Sequence, residues 1–188
     1  VELGERKEVP AVPYVKQRDR LDDVPAVSKQ RRYVIEEREK QLKEYSENSP
    51  FNYEEMHDTK IGIVASGVAY MYAKEVLGDK ASYLKIGFSY PLPIEKIRAF
   101  SKKVDTLYVV EELDPVMEEQ IKAAGIDCHG KDVIPNIDEL NPNIVATGIL
   151  GKGFPNKTVP DGLFVPRPPA LCAGCPHRGF FYELGKRK

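Results

Sequence analysis

Two cysteines three positions apart, Cys172 and Cys175, followed at once by Pro176 and His177, form the densest group of soft ligands in the sequence. A C-x-x-C pair brings two thiolates within reach of one metal ion or cluster iron. A helix can open at Arg178, and a helix N-terminus beside the pair lowers thiol pKa and favours anionic ligands. Four readings of this spacing stay open. The pair could ligate a metal or cluster completed by residues outside the chain, or a zinc ion closed internally with His177, Cys128, His129 or the distant His57. It could exchange electrons as a redox pair, or form a plain structural turn. A thioredoxin-type pair sits directly after a strand of a βαβ unit, whereas this one follows a proline-rich loop. Structural zinc takes four ligands, so a pair is half a site.

Other candidates are weaker. The stretch Ala65-Ser66-Gly67-Val68 ends a strand-like run and opens a helical one, so its backbone N–H groups could face an anion at the carboxyl edge of a sheet or simply make a tight strand-to-helix turn. Neither G-x-G-x-x-G nor a P-loop lysine accompanies it. Glu111 and Glu112 fall at the end of a strand-like segment; adjacent strand residues point to opposite faces, so they are no acid/base dyad, and one of them is expected to make a capping or interface contact. Cys128-His129 reads as a buried small side chain beside an exposed ring. No Ser/His/Asp order and no H-E-x-x-H appears.

The elements that must hold these residues follow from pattern. Only Gly4 of the 14 glycines precedes Gly62, which sets a boundary near Thr59. Between Val1 and Ser49 basic and acidic residues balance, 11 against 11, and prolines at 10, 13 and 25 keep the start extended. A charged amphipathic helix is expected over 28–46, capped by Ser28, with Tyr33, Leu42 and Tyr45 near one face and Val34, Ile35 and Arg38 beside them, a linker helix that packs one narrow stripe on a neighbouring domain, with nucleic-acid or calmodulin binding as the alternatives. From Lys60 short apolar runs alternate with helical periods, the signature of parallel βαβ units. Strands are expected over 60–66, 82–88 and 105–112, with a short fourth at 126–129. Helices are expected over 67–79, stopped by Gly78 with Val68, Tyr72 and Val76 in register, then from Pro93 through Ile97 and Phe100, and from Pro115 to Ala124 with Asp114 as cap. Residues 141–150 add an element too short to type, 151–170 read as loop, and a helix begins near Arg178.

Composition bounds the rest. The 188 residues carry 28 Lys+Arg against 29 Asp+Glu, a net charge of −1, which favours neither nucleic acid nor an anionic membrane as partner. Hydrophobic residues make up 41% and mean hydropathy is −0.42, and no apolar run approaches the ~18 residues of a membrane span, so a soluble chain is expected. Three cysteines are too few and odd in number for a disulfide scaffold, pointing to a reducing compartment. No signal or transit pattern follows Val1, and the chain is expected to be a fragment.

Three stretches carry a resemblance: KIGIVASGVAYMYAKEVL, LKIGFSYPLPIEKIRAFSKKVDTLYVVEELDPVMEEQI and RPPALCAGCPHRGFFYELGK. From about Lys29 to Lys188 the chain resembles the middle of the large subunit of the indolepyruvate:ferredoxin oxidoreductase family, enzymes that depend on thiamine diphosphate. The resemblance implies an entry linker over 1–58, a transketolase C-terminal-like domain over 59–151 and, over 152–188, a linker with the start of the diphosphate-binding thiamine domain. It implies an α/β fold, a three-layer α/β/α open sheet of about five mostly parallel strands, with an N-terminal helical arm. It further implies a cytoplasmic enzyme that oxidatively decarboxylates aryl pyruvates to acyl-CoA, using thiamine diphosphate, Mg and iron–sulfur clusters, with a small beta subunit, ferredoxin and coenzyme A as partners. Related pyruvate enzymes use a matching C-A-G-C pair as cluster ligands, a role that would fall to Cys172 and Cys175, with Gly174 and His177 near the cofactor's edge; Pro176 stands where those enzymes commonly have glycine. The family's aminopyrimidine-activating glutamate and Mg-diphosphate motif are absent, so these residues by themselves are expected to be structural rather than catalytic. The alternative is a stand-alone protein-interaction or zinc-binding module.

Overall fold

A computed structural model describes residues 5, 7–155, 160, 162–163 and 168–187. The elements run α1 (Arg18–Leu21), α2 (Pro25–Asn48), β1 (Asn52–Glu55), β2 (Ile61–Ser66), α3 (Gly67–Leu77), β3 (Ser82–Ile86), α4 (Ile94–Ser101), β4 (Thr106–Val110), α5 (Val116–Ala123), α6 (Pro142–Leu150) and α7 (His177–Gly185), with a 3-10 turn at Gly78–Lys80. They group into two compact units, Val1–Phe154 and Pro155–Lys188. Among the described residues no helix is long and apolar enough to cross a membrane.

The first unit is an open α/β sheet in the order β1-β3-β2-β4. β2 pairs in parallel with β3 on one side and β4 on the other, and β1 closes the β3 edge antiparallel. β2 is buried along its middle, as a central parallel strand covered on both faces must be. Its alternation divides the core. Ile63 and Ala65, with Tyr83 and Val110, face α3 and α6 through Ala69, Ala73, Leu77 and Val145. Val64, with Leu84, Ile86 and Val109, faces α4 and α5 through Ile97, Phe100, Met117 and Ile121. Two helical layers around one sheet give the expected three-layer α/β/α class.

Several expectations need correction. The strand over 126–129 reduces to one parallel bridge between Tyr108 and His129, so the sheet has four strands. β1, inside the charged linker, went unseen: four mostly polar residues carry no period, and only pairing with β3 makes them a strand. On α3 the buried positions are Ala69, Tyr70, Ala73 and Leu77, while Val68 is exposed and Tyr72 and Val76 lie at the margin. Small alanines let the helix sit close on the sheet, which turns the expected register by one residue. Asp114 does not cap α5; the Glu111 carboxylate does, accepting from the Met117 and Glu118 amides at 2.8 and 2.9 Å. α2 starts at Pro25, the residue type preferred in a first turn, and not at Ser28, whose hydroxyl donates to Asp23 at 3.3 Å. The untyped segment at 141–150 is α6, capped by the Asn141 side chain.

α2 is 24 residues long, about 36 Å, and its C-terminal end is fastened to the sheet. Asn52, 1% exposed, donates to the carbonyls of Ser46 and Phe88 and accepts from the amides of Gly87 and Phe88. Glu47 caps α4 by accepting from the Glu95 and Lys96 amides. The face expected to pack is not the one that does: Ile35 and Leu42 are half-buried, but Tyr33 is 72% exposed and Tyr45 reaches inward only to stack edge-on against Phe88.

In the second unit the loop reading of 151–170 falls partly outside the described residues, and the expected helix appears as α7, beginning one residue before Arg178.

Candidate functional site

The cysteine turn is small and open. The Cys175 amide donates to the Cys172 carbonyl at 3.2 Å, Gly174 takes φ +77, a conformation that favours glycine, and the Arg178 amide donates to the Cys175 carbonyl at 3.1 Å. The Arg178 guanidinium also donates to the Cys172 carbonyl at 3.3 Å. α7 therefore begins directly after the pair, with His177 as its first residue. Both thiols are free, Cys172 exposed and Cys175 half-buried. Among the described residues no three of His, Cys, Asp and Glu come together as a metal site. Cys128 is an inert core residue whose thiol burial pushes up to about 11. His129 lies beside it, exposed, stacked on Tyr108 and paired with Asp132 at 2.6 Å.

The second location is the carboxyl edge of the sheet. Between β2 and β4 the chain leaves in opposite directions, to α3 on one face and to α5 on the other, and the edge opens there as a crevice of about 410 Å³. Open α/β sheets bind ligands at such switch points. Its walls come from the β2–α3 turn (Ser66, Val68), the β3–α4 loop (Ser89, Tyr90) and the β4–α5 loop with the start of α5 (Glu112, Asp114, Val116). Gly67, at φ +52, makes the tight turn into α3. The two glutamates part as expected: Glu111 turns inward to α5, and Glu112 accepts from the Leu140 amide at 2.9 Å, pinning the connection before α6. Lys131 reaches between them with its ammonium on the Glu111 carbonyl at 2.6 Å. Burial holds its pKa below the ordinary lysine value, against the pull of Glu111, Glu118, Asp114 and Glu112.

Sequence reasoning placed both the Ala65–Val68 turn and the Glu111–Glu112 pair at the carboxyl edge, and both line this crevice, but it missed Tyr90 and Val116. Large apolar residues in a loop are a usable signal, because such surface has to be covered by something.

Comparison with known proteins shows what this chain is similar to. The chain is 34% identical to indolepyruvate oxidoreductase subunit IorA of Pyrococcus abyssi over 92% of its own length and 30% of that protein. It is 35% identical to the subunit of the same name from Methanothermobacter thermautotrophicus, over 98% of the chain and 32% of the relative, and 30% identical to that of Archaeoglobus fulgidus. The chain thus spans about a third of the length of the curated relatives it matches, and the resemblance drawn from its motifs is borne out. A similarity running through nearly the whole chain does not favour the stand-alone module. No family model matches the sequence, and no solved structure matches it.

Proposed function

We propose that this chain is an internal segment of the large subunit of an indolepyruvate:ferredoxin oxidoreductase, which oxidatively decarboxylates aryl pyruvates to acyl-CoA and passes the electrons to ferredoxin. The observation that carries this reading is similarity to IorA subunits along 89–98% of the chain. Residues 59–151 are its transketolase C-terminal-like domain, 1–58 the entry linker, and 152–188 the approach to the diphosphate-binding domain. The small beta subunit, ferredoxin, coenzyme A and the aryl pyruvate are the partners, and three free thiols suit a cytoplasmic enzyme.

Cys172 and Cys175 are its candidate cluster ligands, with Gly174 and His177 beside the cofactor. Two thiols presented on one turn fit half of a four-donor iron–sulfur site. Neither a complete cluster nor the Mg-diphosphate group of thiamine fits these residues alone, so no chemical step is assigned to them. The task left to the sheet domain is mechanical. Asn52 and Glu47 fix the arm α2 to the β3–α4 connection, so whatever precedes the arm is set at a defined distance from the sheet edge.

The test is turnover. The complete large subunit containing this chain, with its small subunit, should reduce ferredoxin in the presence of indolepyruvate and coenzyme A. Failure with every aryl pyruvate tried, or turnover by the 188-residue chain unaided, overturns the reading.

A further inference from the structure

On the functional reading above, the sheet domain is flanked by other folded parts of a longer subunit, and its carboxyl edge bears the features of a docking face. Val68, Tyr90 and Val116 line the crevice and are 51%, 67% and 61% exposed. Leu113, between the lining residues Glu112 and Asp114, is 55% exposed and sits at φ +57, where glycine or asparagine is at ease and leucine is strained. A bulky apolar side chain held outward in an unfavourable backbone conformation, in water, stabilises nothing within this fold.

The polar groups narrow what could sit there. Glu111 is committed to the α5 amides, and one oxygen of Glu112 to Leu140. A visitor meets apolar surface rimmed by the carboxylates of Glu112 and Asp114, neither of which forms an ion pair among the described residues, with Lys131 turned to the Glu111 carbonyl. Such a rim repels an anionic ligand and attracts lysine or arginine. An apolar centre with a charged margin is the anatomy of a protein interface. We infer that the β2/β4 crevice and Leu113 dock a polypeptide segment of the same oxidoreductase, lying outside these 188 residues, that presents an apolar side chain flanked by Lys or Arg.

The experiment places the photoreactive amino acid p-benzoylphenylalanine at position 113 of the complete two-subunit enzyme, and separately at the exposed position 80, beside the opposite end of β3. Illumination should join position 113 to one dominant peptide that contains Lys or Arg and lies outside residues 1–188. Asp114→Lys, at a rim carboxylate that holds no fold contact among the described residues, should reduce that adduct by roughly tenfold, the scale of one lost close charge pair, with circular dichroism unchanged. A yield at 113 no greater than at 80 overturns the inference. So does an adduct within these 188 residues or to the same face of a second copy, a mass gain equal to a small molecule, or an adduct indifferent to the charge reversal. Indolepyruvate turnover by the unmodified enzyme is measured alongside. Its absence removes the functional reading, while the adduct map decides the docking face independently.

Discussion

Leu113 shows how a single residue can work against its own domain. At φ +57 it occupies the region that asparagine tolerates, so Leu113→Asn should raise the stability of the isolated chain by about 1 kcal/mol. A urea midpoint that stays put or falls would contradict this. Glu55 is the opposite case, a surface charge put to structural use. Its carboxylate accepts from Lys74 and Tyr70, and the hydrogen bond from Lys74, ahead of that from Tyr70, holds its pKa below the ordinary 4.5. A carboxylate with a depressed folded pKa contributes stability above the unfolded value and loses it as pH falls through the folded one. Wild type should therefore exceed Glu55→Gln in stability near neutrality, and the gap should close below pH ~4. A gap independent of pH would show that the pair contributes packing alone. Tyr70 and Tyr83, both pushed up to about 12 chiefly by burial, carry the mirror-image effect: their contribution is present below the ordinary value of 10.0 and lost as pH rises toward 12.

Among the elements, the corner between α2 and β1 decides whether the N-terminal segment is a tether or a strut. Asn52 joins the last turn of α2 to the β3–α4 connection with both ends of one buried amide. Asn52→Ala removes its bonds to the Phe88 amide and carbonyl, while Gly87 and Ser46 keep backbone bonds to Phe51 and Ser49, and should cost about 2–3 kcal/mol. The signature should be local: hydrogen exchange should accelerate in the last turns of α2 and at Gly87–Phe88 well before the α3 amides change. Uniform acceleration across the sheet would assign Asn52 to global stability instead. Glu47 and Glu111 repeat one device at α4 and α5, each placing a carboxylate from a different element on the free amides of a helix start. Neither lies within the helix it caps, so a search for Asp or Ser immediately before each helix finds the wrong residue.

For the molecule as a whole, the proposed division of labour makes the 188-residue chain a folded scaffold with a half-set of ligands. Calorimetry of the isolated chain with thiamine diphosphate and Mg should give no saturable heat, and binding in the micromolar range would refute that. Much of the architecture was legible from the sequence. The strands β2, β3 and β4, the helices between them and the α/β class follow from apolar runs alternating with helical periods, because a strand covered on both faces must be apolar throughout. The motifs also sufficed for the kinship, since C-A-G-C-P-H and the βαβ stretches are local strings. What tertiary structure alone decided were features made by residues far apart in the chain. Four mostly polar residues became β1 because β3 offered them an edge, α3 turned by one residue because alanines let it approach the sheet, and Val68, Tyr90 and Val116 were gathered around one crevice. Local sequence carries the period of an element, but not the identity of the neighbour across the gap, and it is the neighbour that turns an edge into a strand or a loop into a site.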